Sequence, residues 1–120
     1  MPIVRVELPH GVPDEKKVQA RQAVKAAVLK TLAPKETRYD YVAIREVFGE
    51  IGDGVPVVTV DLRPGREQER KAALAKSIAT SLGAVLGIEA QHVYVLFRET
   101  VAANHYCGGK PLPDWVPADT

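Results

Sequence analysis

The sequence predicts an α+β fold of two tandem β-α-β units, with a four-stranded mixed sheet and both helices on one face. Two observations support this prediction. Residues 2–11 (PIVRVELPHG) and residues 56–65 (PVVTVDLRPG) align without a gap, 54 positions apart. Each segment is followed by a helical pattern and then by an apolar strand next to an acidic residue. Repetition at a fixed spacing indicates duplicated structural units.

The chain begins MPIVRVEL, a short alternating strand that starts with Pro2 directly behind the initiator methionine. A proline is harmless at the start of a strand, because its missing N–H is not needed there. Removal of Met1 would instead turn Pro2 into a free secondary amine, which is chemically reactive. The rest of the sequence has to decide between these two interpretations.

A helix follows the first strand of each unit, and we expect bounds of about Pro13 to Leu32 and Glu67 to Leu86. Apolar residues recur every four positions in both segments, which is typical of a helix with one buried face. The two stripes superpose at the repeat spacing and consist of Ala20, Val24, Val28 and Leu32 in the first helix and Leu74, Ile78, Leu82 and Leu86 in the second.

The last strand of each unit reads YDYVAIREV in the first half and HVYVLFRET in the second. Arg45-Glu46 corresponds to Arg98-Glu99 with the spacing reduced by one, which implies one extra loop residue in the first half. Because a helix connects the two strands of a unit, the strands should be parallel and the crossover right-handed. We expect both glutamates to be structural, paired with the arginines that precede them.

The length of 120 residues predicts one domain, 1–120, built of repeats at about 2–54 and 56–110 with an extended C-terminal tail. Charges nearly cancel, with 16 Lys+Arg against 15 Asp+Glu, which argues against nucleic-acid and membrane-surface binding. The single cysteine, Cys107, excludes an internal disulfide and fits a reducing compartment. No apolar stretch approaches the length of a membrane span. We therefore expect a soluble, cytoplasmic protein.

The uncovered face of the predicted sheet is expected to form an interface. A unit of about 55 residues with one helix cannot cover both faces of its sheet. Other copies of the chain are the natural cover, and a closed assembly is the usual outcome. We therefore predict a homotrimer with its sheets packed around the axis.

The two units differ most clearly after their first strand. The first reads ELPHGVPDE and the second DLRPGREQE, so Arg63 replaces Pro9 and Arg66 replaces Val12. Two arginines three residues apart at a strand-to-helix turn favour an anion, through their guanidinium groups and the N–H groups at the helix start. The alternative, that Arg63 and Arg66 are solvated surface charges, stays open at this level.

The two strand-leading prolines also differ in chemistry. Pro56 lies inside the chain, so its nitrogen is an amide, whereas Pro2 becomes an amine when the initiator methionine is removed. An α-amino group has a pKa of about 7.7–8.0, and burial and nearby cations lower that pKa. Arg63 and Arg66 beside Pro2 would therefore favour the neutral base and hold a substrate carboxylate against it.

The Gly108-Gly109 turn predicts a tight hairpin. The chain resembles two fused copies of the 4-oxalocrotonate tautomerase superfamily unit, because it has a strand headed by Pro2, a glycine nine residues on, a crossover helix and this glycine turn. The segments DLRPGR, VYVLFRE and KPLPDWVP make the second half similar to the α subunit of trans-3-chloroacrylic acid dehalogenase. The first half is similar to the partner β subunit, which supplies the working proline.

The resemblance implies a role for specific residues. Pro2 matches the catalytic proline, and Arg63 and Arg66 match the two arginines that bind the substrate carboxylate. Tyr94 stands at the position of an aromatic wall and His105 at that of another aromatic residue.

Two departures from the family pattern bear on the substrate. Cys107 stands where the dehalogenase has the glutamate that activates water, and a thiol cannot replace a carboxylate in that role. Tyr41 and Tyr94 stand where the tautomerase has an arginine on the strand after the helix. The resemblance therefore supports the catalytic base and the carboxylate-binding arginines more strongly than it supports the substrate of the dehalogenase or that of the tautomerase.

The function expected from these observations is a cofactor-free isomerase of small 2-oxo or 2-hydroxy-unsaturated carboxylic acids. One alternative is hydration or dehalogenation of 3-haloacrylate-like acids, for which Tyr94 or His105 would have to replace the missing glutamate. The other is a non-catalytic trimeric member of the family. The three histidines show no metal-ligand spacing, so no metal site is expected.

Overall fold

The computed structural model of the protein describes residues 2–32, 40–47, 56–65 and 67–111. Strands and helices follow one another in the predicted order, and a short hairpin is added after the second unit. Their bounds are β1 (Ile3–Pro9), α1 (Asp14–Leu32), β2 (Tyr41–Val47), β3 (Val57–Leu62), α2 (Gln68–Leu86), β4 (Tyr94–Glu99), β5 (Tyr106–Cys107) and β6 (Lys110–Pro111). None of the helices in this part of the chain is long and apolar enough to cross a membrane.

The main sheet has the strand order β2-β1-β3-β4. β1 and β2 are parallel, as are β3 and β4, whereas β1 and β3 meet antiparallel at the junction of the two units. At this junction Arg5 pairs with Thr59, its own counterpart 54 positions later. The two units are therefore related by an approximate twofold rotation, and the predicted mixed sheet with two helices is confirmed.

The core lies between one face of the sheet and the two helices. Alternate residues of β1 and β3 are fully buried there, as are most residues of the two predicted helical stripes, while Leu86 is only half-buried. Burying such side chains contributes roughly 1.5–3 kcal/mol each to the free energy of folding, before the loss of chain entropy is counted. The strand residues concerned are Val4, Val6, Leu8, Val58, Val60 and Leu62.

The opposite face of the sheet carries ion pairs. Asp61 accepts hydrogen bonds from Arg98 at 2.8 Å and from Arg5 at 2.9 Å, and Arg45 pairs with Glu7 in the other unit. Hydrogen bonds from Arg98, supported by Arg5, hold the pKa of Asp61 below its ordinary value. The two units thus repeat the same arginine–carboxylate pair across neighbouring strands.

Glu46 and Glu99 are structural, but the prediction that they pair with the arginines preceding them is wrong. Glu46 pairs with Lys17, and Glu99 pairs with Lys71 at 3.3 Å. Consecutive residues of a strand point to opposite faces, so each glutamate faces its helix while its neighbouring arginine faces away. The lysine hydrogen bond holds the pKa of Glu46 below its ordinary value.

The hairpin expected at Gly108-Gly109 is present between β5 and β6. Both glycines have positive φ angles, 64° and 79°, a conformation that a two-residue hairpin turn needs and that glycine adopts without strain. This hairpin carries Cys107, whose side chain is exposed.

Candidate active site around Pro2

Pro2 precedes β1 and is fully buried, on the same side of the strand as Val4. Its carbonyl oxygen accepts a hydrogen bond of 3.1 Å from the backbone N–H of Tyr41, which opens the neighbouring strand β2. The β1–β3 register pairs Ile3 with Asp61, and continuing it by one step sets Pro2 opposite Leu62. Pro2 and the residue after β3 therefore lie at the same end of the sheet in one chain.

The residue directly after β3 is Arg63, which is buried with only 8% of its surface exposed. Burial lowers the pKa of its guanidinium from the ordinary value. A cation shielded from water attracts an anion more strongly than an exposed one does, because the surrounding dielectric screens it less. Arg66, the second predicted arginine, lies outside the described residues.

A cavity of about 600 Å³ opens beside Pro2, between α1 and the start of β2. Its volume is in the usual range for sites that take small organic molecules. Arg63 does not line it, although it lies at the same end of the sheet. The described residues that line it are Pro2, Arg21, Gln22, Lys25, Val28, Leu29, Asp40, Tyr41 and Val42.

Among the described residues that line the cavity, three are charged and were not among the predicted site residues: Arg21, Lys25 and Asp40. Arg21 and Lys25 are four positions apart on α1, so they lie on one side of the helix. Asp40 comes directly before Tyr41, and its carboxylate oxygens are shielded from solvent. The four-residue spacing of Arg21 and Lys25 was visible in the sequence, but no sequence pattern indicated that these two residues lie beside Pro2.

The two predicted tyrosines lie at opposite ends of the sheet within one chain. Tyr41 lines the Pro2 cavity, whereas Tyr94 pairs with Val57 and donates its backbone N–H to Pro56 at 3.1 Å. Four residue steps separate them along the strand direction, which is about 13 Å. Both side chains are 52% exposed. Tyr94 can therefore act beside Pro2 only from a second copy of the chain.

His105 lies near the same end of the sheet as Arg63. Thr100, directly after β4, donates its backbone N–H to Leu62 at 2.9 Å, and the Nε2 atom of His105 is 3.1 Å from the Thr100 carbonyl oxygen. Since a carbonyl oxygen can only accept, Nε2 carries a proton and donates it to the Thr100 carbonyl oxygen. His105 is thereby held in a defined orientation near the end of β3.

Residues 56–114 match the tautomerase enzyme family. A Bacillus cereus protein named as a probable tautomerase is 38% identical over 61 residues, which are 50% of this chain and 98% of that protein. The chain belongs to the tautomerase family. Membership of the 4-oxalocrotonate tautomerase superfamily, predicted from the Pro2 strand and the repeated unit, is thus confirmed.

Two solved structures extend the likeness of this tautomerase family member beyond its second half. A fused 4-OT described as a symmetric trimer has a TM-score of 0.80 and 25% identity, covering 91% of this chain and 94% of its own. N1, a member of the cis-3-chloroacrylic acid dehalogenase family, has a TM-score of 0.80 and 20% identity, covering 97% and 85%. At 20% identity, N1 shows the fold alone, so the likeness to a dehalogenase subunit stays a prediction.

Proposed function

We propose that this tautomerase family member is a cofactor-free isomerase of small 2-oxo or 2-hydroxy-unsaturated carboxylic acids. Pro2, as the amino-terminal residue after removal of the initiator methionine, acts as general base and then as general acid. The observation that carries the proposal is the position of Pro2, on the wall of a cavity of about 600 Å³ and at the same end of the sheet as the buried Arg63.

The surroundings of Pro2 favour a base that is neutral near physiological pH. An amino-terminal amine ordinarily has a pKa of about 7.7–8.0, and nearby cations lower that pKa by disfavouring the ammonium form. Arg21 and Lys25 line the same cavity, and Arg63 follows the strand beside it. Asp40 acts in the opposite direction, because a carboxylate favours the ammonium form.

The reaction moves one proton. The lone pair of the Pro2 nitrogen takes a proton from the enol hydroxyl or the α-carbon of the substrate, which leaves an enolate and a protonated Pro2. The same N–H then returns the proton to a different carbon, so no co-reactant is consumed. Arg63, together with Arg66, binds the substrate carboxylate and stabilises the negative charge that develops on the adjacent oxygen.

The remaining predicted residues would form the walls of the site. Tyr41 lines the Pro2 cavity, and His105 lies near the end of β3. Tyr94 would contribute from a neighbouring copy, since its own chain holds it at the far end of the sheet. We assign these three residues to substrate contact rather than to proton transfer.

We further propose that the protein works as a homotrimer in the cytoplasm. The helix-free face of its sheet exposes Tyr94 and Leu96, with 52% and 45% of these residues accessible. Packing this face against other copies would bury that surface and bring the far end of one sheet near the Pro2 end of another. The fused 4-OT structure of similar fold, described as a symmetric trimer, supports this assembly.

The test compares Pro2→Ala with Pro56→Ala in an assay of phenylpyruvate keto–enol conversion. Both prolines precede corresponding strands and are buried, but only Pro2 can present an amine. General base catalysis contributes roughly 10²- to 10⁴-fold, and alanine leaves a primary amine, so Pro2→Ala should lower kcat/KM by at least about tenfold. Pro56→Ala should change it by less than about threefold once unfolded protein is subtracted. Equal turnover by Pro2→Ala and parent protein would reject the assignment.

Intact mass measurement separates the enzyme from a non-catalytic trimer. Protein that has lost one methionine can carry the Pro2 amine, whereas protein of full mass cannot use that amine. We expect activity to track the fraction of methionine-free chains across preparations. Activity that is independent of this fraction would mean that another residue is the base.

A second candidate function is hydration or dehalogenation of 3-haloacrylate-like acids, and the carboxylate of Asp40 at the Pro2 cavity favours it. In this reaction Asp40 would take a proton from a water molecule while the oxygen of that water adds to the carbon that bears the halogen. Protonated Pro2 would then give its proton to the neighbouring carbon. Collapse of the resulting halohydrin releases halide. Halide release that Asp40→Asn abolishes would support this function, and its absence in the parent protein would exclude it.

A further inference from the structure

Arg70 is a nearly buried cation that has no role in the proposed reaction. It stands four positions before Leu74, at the head of the buried stripe of α2, so it lies on the side of the helix that faces the sheet. Only 13% of its side chain is exposed, and its Nη1 atom is shielded from solvent. A buried charge lowers stability unless its surroundings compensate it, so a guanidinium group at the head of an apolar stripe requires an explanation.

The first turn of α2, which carries Arg70, lies at the same end of the sheet as Arg63. Lys71 in this turn pairs with Glu99, the last residue of β4, at 3.3 Å. The parallel register of β3 and β4 sets Glu99 beside the last residue of β3, which directly precedes Arg63. Arg70 is therefore near the strand end that leads into the proposed carboxylate clamp of Arg63 and Arg66.

Arg70 pairs with Glu67, the residue that precedes α2. The Nε atom of Arg70 is 3.2 Å from the Oε1 atom of Glu67, three positions earlier. The backbone N–H of Arg70 also donates a hydrogen bond of 3.1 Å to the carbonyl oxygen of Glu67. The side chain of Glu67 is 49% exposed, so the arginine is the more firmly enclosed member of the pair, and the glutamate is the one that can turn away when Arg70 is lost.

The pair belongs to the unit that carries the carboxylate clamp. At the repeat spacing, Glu67 corresponds to Pro13 and Arg70 to Lys16, which is exposed on α1. The first unit, which has no arginines at the clamp positions, thus has neither the glutamate nor the enclosed arginine. The Glu67–Arg70 pair therefore accompanies the clamp and is not a requirement of the duplicated framework.

Glu67 is a potential competitor for the clamp. It directly follows Arg66 in the sequence and comes four positions after Arg63. A carboxylate so close to two arginines competes with a substrate carboxylate, because guanidinium groups bind both through the same paired hydrogen bonds. Arg70 provides Glu67 with a guanidinium partner outside the clamp.

We propose that Arg70 is a positioning residue that keeps the Glu67 carboxylate out of the anion site formed by Arg63 and Arg66. This inference rests on the proposed function, in which those two arginines bind the substrate carboxylate. Loss of Arg70 releases Glu67 to pair with the clamp, so the substrate binds more weakly. Proton transfer by Pro2 on the substrate that does bind is unaffected.

The test measures binding of 3-phenylpropionate, an inert carboxylate similar in shape to phenylpyruvate, by calorimetry at low salt. Arg70→Met should weaken binding roughly three- to fivefold, the size expected for a partly exposed ion pair. The double variant Arg70→Met/Glu67→Gln should bind within about twofold of the parent protein, because the competing charge is gone. In turnover, Arg70→Met should raise KM by a similar factor and leave kcat within about twofold of the parent value.

Arg70→Met/Glu69→Gln is the matched control. Glu69 is an exposed acid in the same turn of α2, so its removal takes away an equal charge without touching the Glu67 carboxylate and should not restore binding. Arg70→Gln removes the same cation but keeps a polar side chain in the enclosed position, and it should weaken binding in the same direction. Urea unfolding of each variant gives the folded fraction, and only folded protein is counted.

Binding by Arg70→Met and Arg70→Gln that equals that of the parent protein overturns the proposal, and so does weakened binding that Glu67→Gln does not restore. Arg63→Met, measured alongside, separates this result from the proposed function. If Arg63→Met leaves the affinity for the acid unchanged, or if the parent protein does not bind the acid, the carboxylate clamp itself is wrong. If Arg63→Met weakens binding while the Arg70 variants do not, only the inference about Arg70 fails.

Discussion

Replacing Arg63 by methionine tests the carboxylate clamp most directly. Methionine has a long, flexible apolar side chain, so it fills much of the buried volume while removing the charge. Arg63 is 8% exposed, so a hydrogen bond from its guanidinium to a substrate carboxylate is little weakened by solvent. Hydrogen bonds to charged groups contribute about 1.5–3 kcal/mol, which corresponds to a loss of roughly 10- to 150-fold in kcat/KM.

The assay is steady-state turnover of a 2-oxo acid enol on methionine-free protein, with urea unfolding of each variant alongside. We expect Arg63→Met to lower the free energy of unfolding by up to about 3–5 kcal/mol, because removing one member of a buried polar interaction leaves its partner unsatisfied, so kcat/KM is compared for the folded fraction of each variant. Lys16→Met, an exposed cation in the first turn of α1, is the control and should leave kcat/KM unchanged. A folded Arg63→Met protein with parental kcat/KM would refute the assignment of this arginine.

Asp40→Asn removes a carboxylate from the Pro2 cavity, so the limb of the pH–rate profile that reports the Pro2 amine should move to lower pH; a limb that stays in place would contradict a tuning role for Asp40. Gly83→Ala should lower the urea-derived free energy of unfolding by about 1–3 kcal/mol, because the new Cβ would lie 2.8 Å from the Ile88 backbone oxygen. This cost should exceed the gain from the better helix propensity of alanine. An increase in stability would show that the Ile88 backbone moves to accommodate the new Cβ. Asp61 has its pKa held low by arginine hydrogen bonds, so its stabilising contribution is present above the unfolded pKa of about 3.9 and disappears as the pH falls through the folded pKa. Asp61→Asn should therefore be less stable than the parent at neutral pH and equally stable near pH 2 by thermal unfolding, and a difference that is constant with pH would argue against this ion pair.

The repeat and its helical stripes were readable from the sequence because each depends on local periodicity. The stripe from Ala20 to Leu32 is buried along its whole length, and that of α2 is buried from Leu74 to Leu82. Leu86 departs from the pattern and is only half-buried, at the end of its helix.

The candidate site could be predicted only in part. Pro2 and Arg63 were selected from the asymmetry between the repeats, since each is the member of its pair that carries reactive chemistry, and their catalytic roles stay a prediction. Arg21, Lys25 and Asp40 were missed because they come from a helix and a loop whose meeting beside Pro2 depends on how α1 packs against β1 and β2. Periodicity marks one face of a helix as buried, but it does not say which exposed side chains border a cavity.

The sequence by itself determined the duplicated unit and the family and selected the candidate site residues, because each of these depends on a local pattern. Only the tertiary structure decided which ends of the two units meet. The antiparallel junction of β1 and β3 reverses the direction of the second unit, so counterparts in the repeat, such as Tyr41 and Tyr94, lie at opposite ends of the sheet. The same reversal sets Pro2 beside the strand that leads to Arg63, because the start of one strand must lie next to the end of its antiparallel neighbour.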